Sequence, residues 1–230
     1  MDFIKRYKLK YIIIFIFLFI FIFIKIFKDV IMREFLFYSR TGYTTPNFST
    51  LEEGGRLDIL YQTILTSIFK SQSHRHDVVF HAVLNGPKNP PIHIEIIGND
   101  LRDARIDEIS WYNIIKELLK GGAHEGILTD RKSFQQIIKE KYNENYKIFI
   151  LNNKGIMFTE VDEFKNYLDN EKLLFIIGDH VGLPKKDEMF ALRYGSALSL
   201  GHRKYLAASC IDIINYLLDL REEKIEFIKK

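Results

Sequence analysis

The chain has 230 residues, 47% of them apolar and 27% charged, with one cysteine and a formal charge of +3. That balance belongs to a globular protein with a real core, excludes an internal disulfide, and leaves one large domain or two small ones open. The positive charge is local, because residues 1–31 hold six Lys/Arg and two Asp/Glu while the remainder holds 27 and 28, a net of −1; a broadly basic nucleic-acid-binding domain is thereby excluded, and an RNA site must be a patch or be assembled across an oligomer.

Tyr11 to Ile24 is a run of fourteen apolar residues, mostly Ile and Phe, flanked by lysines and Arg6. It is shorter than the roughly 18–20 residues that cross a bilayer, and counting on to Phe27 brings it only to the borderline. The basic start fits a signal anchor, and no small-residue cleavage site follows. The same Ile/Phe/Lys composition is also what translated AT-rich upstream sequence produces, and Met32-Arg33-Glu34-Phe35 reads as a natural start.

From Met32 the elements follow one another without a linker. Glu34 to Ser39 predicts a strand, and Thr41 to Gly55 a loop. Arg56-Leu57-Asp58 opens a helix with apolar positions at Leu57, Leu60, Ile64, Ile68 and Phe69. Asp77 to Leu84 predicts a buried strand, and a stiff Pro87–Pro91 turn leads to a neighbouring strand, Ile92 to Ile97. Asp107 to Leu119 predicts a helix capped by Asp107 and stopped by Gly121-Gly122, and Phe134 to Lys141 a shorter one. Tyr146 to Leu151 reads as a buried strand ending in a turn at Asn152–Gly155, and Val161 to Leu168 as a helix. A last buried strand at Leu173–Ile177 breaks into Gly178-Asp179-His180-Val181-Gly182. A charged helical segment, a short apolar segment ending at Leu200-Gly201, and a helix bearing Cys210 complete the chain. Strands alternating with helices predict an α/β fold with a largely parallel sheet flanked by helices.

The glycine turns after the last two strands stand where such sheets bind ligands. They do not form a dinucleotide fingerprint, and a plain tight turn explains them equally well. His180 has no His or Cys neighbour at ligand spacing, so no metal is expected. Cys210 shares a helical face with Leu206, Ile213, Ile214 and Leu217, where a small buried hydrophobe is its default role. Arg56 and Asp58 suit a solvated first turn. Arg75, between His74 and His76, suits either a phosphate contact or a polar loop.

Several blocks together resemble the archaeal tRNA (pseudouridine(54)-N(1))-methyltransferases of the SPOUT superfamily. They are Gly55-Arg56-Leu57-Asp58, Asp77-Val78-Val79-Phe80 through Gly86-Pro87, Asn89-Pro90-Pro91, Asp107-Glu108 with Ser110, Phe175 through Gly182, Leu198-Ser199-Leu200, and Cys210-Ile211. The resemblance spans residues 32–230 and none of 1–31. It implies a trefoil-knotted α/β fold, a homodimer, and S-adenosylmethionine held by Leu151, Gly178, Leu200, Gly201, His202, Arg203, Lys204 and Tyr205, with Cys210 near the methionine end. The implied activity is methylation of N1 of pseudouridine 54 in the TΨC loop of tRNA, in the cytoplasm unless residues 1–31 anchor the protein to a membrane. Asp58 is the candidate acceptor for the N1 proton, with Arg56 and Arg75 holding RNA phosphate. A ribosomal-RNA pseudouridine methyltransferase and an idle, membrane-tethered RNA-binding protein are the alternatives. The chain departs from the family pattern at Ile109, where an arginine is usual, at Leu206, Ala208 and Ser209, and at Gly201–Lys204.

Overall fold

A computed structural model describes residues 32–161 and 172–229; the apolar segment 1–31 and the helix expected after Val161 lie outside the described residues. In chain order the first elements are β1 (Met32–Ser39), α1 (Leu57–Ile68), β2 (Phe69–Lys70), β3 (Ser73–His74), β4 (Val78–Leu84) and β5 (Ile92–Ile97). Then come α2 (Glu108–Leu119), β6 (Ile127–Asp130), α3 (Phe134–Asn143) and β7 (Lys147–Met157). The chain ends with β8 (Lys172–Gly178), α4 (Lys185–Ala191), β9 (Ser196–Ser199) and α5 (Ala207–Lys229).

Seven strands form one sheet in the order β6-β5-β4-β1-β8-β7-β9, and β2 and β3 pair separately. The five strands from β4 to β9 are mutually parallel, whereas β5 and β6 add antiparallel at one edge. Successive residues of β1 face opposite layers, and all from Arg33 to Ser39 are buried. Phe35 and Phe37 join the core beneath α1, α2 and α5, while Leu36 and Tyr38 join a second core beneath α3 and α4. Parallel register sets Phe80, Phe35, Phe175 and Phe149 side by side across four strands. The rings of Phe35 and Phe175 stack at 5.7 Å, and those of Phe149 and Phe175 at 5.6 Å. The result is a three-layer α/β/α domain of the expected class.

The last helix returns to the first strand. Arg33, 1% exposed, pairs through Nε with the Asp77 carboxylate at 2.8 Å and donates from Nη1 to Asp219 of α5 at 2.8 Å. Arg75 grips the same Asp219 carboxylate with both terminal nitrogens, at 2.8 and 2.7 Å. Asn215 donates to the Thr66 carbonyl of α1 at 2.9 Å. Among the described residues no helix is long and apolar enough to cross a membrane.

Local chemistry sets the element ends. Asp107 caps α2 by accepting from the Ser110 N–H at 2.8 Å, and Ser133 with Gln136 forms a capping box on α3. One expectation is corrected, and one element was not foreseen. The turn at Asn152–Gly155 is instead a bulge within β7, whose register against β9 shifts between Leu151 and Ile156. Glycine is required there, because a Cβ on Gly155 would lie 2.4 Å from the Ala197 carbonyl carbon. The edge strand β6 has no counterpart in the sequence reading; only Ile127 of its four residues is buried, too little for a hydrophobic pattern.

Candidate active site

A cavity of about 780 Å³ opens at the C-terminal ends of β8 and β9, beside the bulge in β7. This is the end at which parallel α/β sheets hold ligands, and the volume lies within the roughly 300–1,000 Å³ usual for small-molecule sites. Three backbone segments build its walls: the β7 bulge from Leu151 to Asn153, the turn from Gly178 to Leu183, and the run after β9.

The Gly178 turn is fastened by a residue that pattern reading passed over. The Asp179 carboxylate accepts from the Arg40 N–H at 2.7 Å and from the Val181 N–H at 2.9 Å. Its own N–H donates to the Tyr38 carbonyl at 3.0 Å, tying the turn to the end of β1. A side chain on Gly178 would bring its Cβ within 2.5 Å of the Leu183 nitrogen, so the turn closes only around glycine. After β9, the Ser199 Oγ accepts from the Gly201 N–H at 3.1 Å and donates to the Gly201 carbonyl at 3.2 Å, which curls Leu200-Gly201 into the wall.

Of the expected ligand-binding residues, Leu151, Gly178, Leu200, Gly201, Arg203, Lys204, Tyr205 and Cys210 line the cavity, and His202 does not. Burial raises the Cys210 thiol to about 11, so it is a neutral wall and no nucleophile at physiological pH. Ile59, Gln62, Asn152, Asn153 and Glu188 also line the cavity. Asn152 donates to the Glu188 carboxylate, joining the β7 bulge to α4. Nothing in the spacing of Asn152 and Glu188 announces this meeting, because it depends on the bulge.

Arg56 reaches the cavity from the start of α1, in a left-handed conformation (φ 68°) directly after Gly55 (φ 76°). Two consecutive positive φ values are costly for a non-glycine residue. They aim the guanidinium back at Asp58, with Nε to Oδ1 and Nη2 to Oδ2 both at 2.9 Å. This fork holds the Asp58 carboxyl below its ordinary range despite partial burial, and it is ionised at neutral pH. Asp58 therefore stands behind Arg56 at the rim rather than in the wall itself. Arg75 is not brought to this cavity; its guanidinium is committed to Asp219. Ile109, at the position where the usual arginine is missing, is 74% exposed and outside the cavity wall.

Over residues 32–223 the sequence matches the family described as "Putative SAM-dependent RNA methyltransferase". A protein of Methanococcus maripaludis strain C5 named tRNA (pseudouridine(54)-N(1))-methyltransferase is 34% identical over 199 residues, spanning 82% of this chain and 98% of its own length. The Methanocaldococcus jannaschii protein of the same name is 32% identical over 205 residues, spanning 82% and 97%. Among solved structures, Archaeoglobus fulgidus Nep1 bound to S-adenosylhomocysteine superposes with a TM-score of 0.58 at 13% identity, over 81% of this chain and 97% of that one. The likeness is one of fold, a mostly parallel α/β sheet flanked by helices. The chain belongs to this family of S-adenosylmethionine-dependent RNA methyltransferases.

Proposed function

We propose that this protein methylates N1 of pseudouridine 54 in the TΨC loop of tRNA, using S-adenosylmethionine. The observation that carries this reading is a cavity walled by three backbone segments, with an Arg56–Asp58 fork at its rim. It occurs in a chain that spans nearly the full length of tRNA (pseudouridine(54)-N(1))-methyltransferases.

The residues present suit the cofactor. Main-chain amides and carbonyls at Leu151, Gly178 and Leu200 to Tyr205 can meet its adenosine and methionine polar groups, and the Cys210 thiol supplies an apolar wall. Glu188, held by Asn152, offers a carboxylate to hydroxyl groups. S-adenosylmethionine supplies a methyl group already activated on a sulfonium. What the protein must add is alignment of the base and a destination for the N1 proton. Ionised Asp58 accepts a hydrogen bond from N1–H, and the Arg56 fork fixes its orientation. Arg56, Arg203 and Lys204 gather positive charge at the same opening for the RNA backbone.

The active form is a homodimer in this reading. Val181, Tyr205 and Leu206 rim the cavity and are exposed, Leu206 at 73%, and a second copy would cover them.

The test is methyl transfer by the full-length protein from labelled S-adenosylmethionine to three RNAs: tRNA carrying pseudouridine 54, the same tRNA with uridine 54, and a pseudouridine-containing ribosomal fragment. Labelling confined to the first is expected. Equal labelling of the two tRNAs would remove the pseudouridine assignment, and preference for the ribosomal fragment would replace tRNA as the substrate.

A further inference from the structure

Away from the cavity, four neighbouring strands carry titratable side chains that methyl transfer does not use. His81 of β4 and His93 of β5 are 1% and 2% exposed, and His81 points to the same face as its register partner Leu36, beneath α3. Their ring nitrogens face each other, His81 Nδ1 to His93 Nε2, at 3.0 Å. Each outer nitrogen meets a carboxylate: His81 Nε2 lies 2.9 Å from Glu34 Oε2, and His93 Nδ1 lies 3.1 Å from Asp130 Oδ1. Glu34 also accepts from Tyr146 and pairs with Lys141 at 2.8 Å, and Asp130 sits 4.0 Å from Lys132. Glu95 lies directly opposite His81 in the β4–β5 pair. One carboxylate oxygen of Glu95 and the two imidazoles' nitrogens all fall within 4.8 Å of one another. Among the described residues Glu95 makes no hydrogen bond or ion pair of its own.

Counting protons shows what this arrangement lacks. Three contacts run along the chain Glu34–His81–His93–Asp130, and each needs one proton. Two neutral imidazoles carry two, and the carboxylates draw both to the outer nitrogens. The inner nitrogens then present two lone pairs to each other. A third proton would place an imidazolium in a site almost closed to water. A metal cation meets the same need without one. Carboxylates on the far nitrogens are how metal-binding histidines are held in tautomer and orientation. Two imidazoles and one carboxylate form a donor set suited to zinc-like ions and unsuited to magnesium.

We propose that His81, His93 and Glu95 bind a divalent transition-metal ion of the zinc type, oriented by Glu34 and Asp130. Nitrogens bound to a tetrahedral ion at about 2.0–2.1 Å stand about 3.3 Å apart, so the rings separate by only a few tenths of an ångström while tilting toward Glu95. The ion fastens β4 to β5. None of its three ligands lines the methyl-transfer cavity, so its role is structural. The expectation of no metal rested on His180, a position this site does not involve.

The full-length protein, stripped with chelator, is titrated with zinc chloride at pH 7.5 against a chromophoric chelator, with magnesium chloride in a parallel titration. One equivalent of zinc, held more tightly than micromolar, is expected together with a raised melting temperature, and magnesium leaves both readings unchanged. Glu95→Gln weakens zinc binding at least tenfold while changing the melting temperature of the metal-free protein little, because the Glu95 carboxylate makes no hydrogen bond or ion pair to lose and acts on Lys132 only through its charge. Asp130→Asn weakens it about tenfold through His93. Less than one equivalent bound at micromolar zinc overturns the site. So does wild-type affinity in Glu95→Gln, which would put the ion elsewhere, such as near Cys210.

Discussion

Arg33 and Asp219 lie 186 residues apart in sequence and meet through a 2.8 Å ion pair that clasps the last helix to the first strand. Arg33 is buried, and Asp219 serves Arg75 at the same time. Removing the shared carboxylate takes from Arg75 the group its fork grips and leaves buried Arg33 with Asp77 and Asn215 to balance its charge. Asp219→Ala is therefore expected to destabilise the protein by about 2–4 kcal/mol. Urea unfolding followed by circular dichroism measures this, and a change below about 1 kcal/mol would mean the clasp contributes little.

Asp58 stands beside Arg56 and outside the wall of the cofactor cavity, so its replacement separates chemistry from cofactor binding. Asp58→Asn keeps the shape but loses the charge proposed to accept from N1–H. Methyl transfer is expected to fall about 100-fold while the Kd for S-adenosylmethionine stays within about twofold. Titration calorimetry alongside single-turnover labelling checks both halves.

Cys210 is expected to be dispensable for chemistry. Its thiol titrates near 11 because it is buried, which leaves little thiolate at pH 8. Cys210→Ala should retain methyl transfer within about fivefold, any loss appearing in KM for the cofactor rather than in kcat. Alkylation of the native protein by iodoacetamide at pH 8 should be slow compared with the unfolded chain. Rapid alkylation in the folded state would contradict the burial that sets this thiol.

Acid should unfold the protein through Glu34. Burial favours its neutral form, but the hydrogen bond from His81 and the nearby Lys141 ammonium prevail and hold it at about 2. A carboxyl with a depressed folded value contributes stability above its unfolded value near 4.3 and loses it as the pH falls toward 2. The loss is of order 3 kcal/mol. Asp219, held low against burial by hydrogen bonding to Arg75 and the charge of Arg33, acts in the same direction. Melting temperatures from pH 5 to 2.5 should drop steeply for the wild type and less for Glu34→Gln.

Much of the parallel sheet was legible, because buried strands such as Leu173–Ile177 and Val78–Leu84, the latter broken only by His81, are apolar runs between turn signals. The helix start at Asp107 is written in local capping chemistry and the structure has it, whereas the Ser133–Gln136 capping box before Phe134 went unread. What escaped depends on distant partners. Arg75 reads locally as a phosphate contact, yet Asp219, 144 residues away, claims it. The β7 bulge hid inside a polar Asn-Asn-Lys-Gly string that also spells a turn, and with it went Asn152 and Glu188 of the cavity wall. Glycine turns pointed to the site; Asp179, which shapes one of them, reads as just another loop acid until β1 is placed beside it.

The parallel pairing of β1 with β8 gives the domain two unlike ends. Met32 sits beside Lys172 at one, and Tyr38 sits beside Gly178 and the cavity at the other. Six residue steps of strand separate them, about 20 Å. The clasp at Arg33 fixes the first end firmly, so the sheet is tied down at the end opposite its opening, and the turns that shape the cavity sit at the end left unclasped.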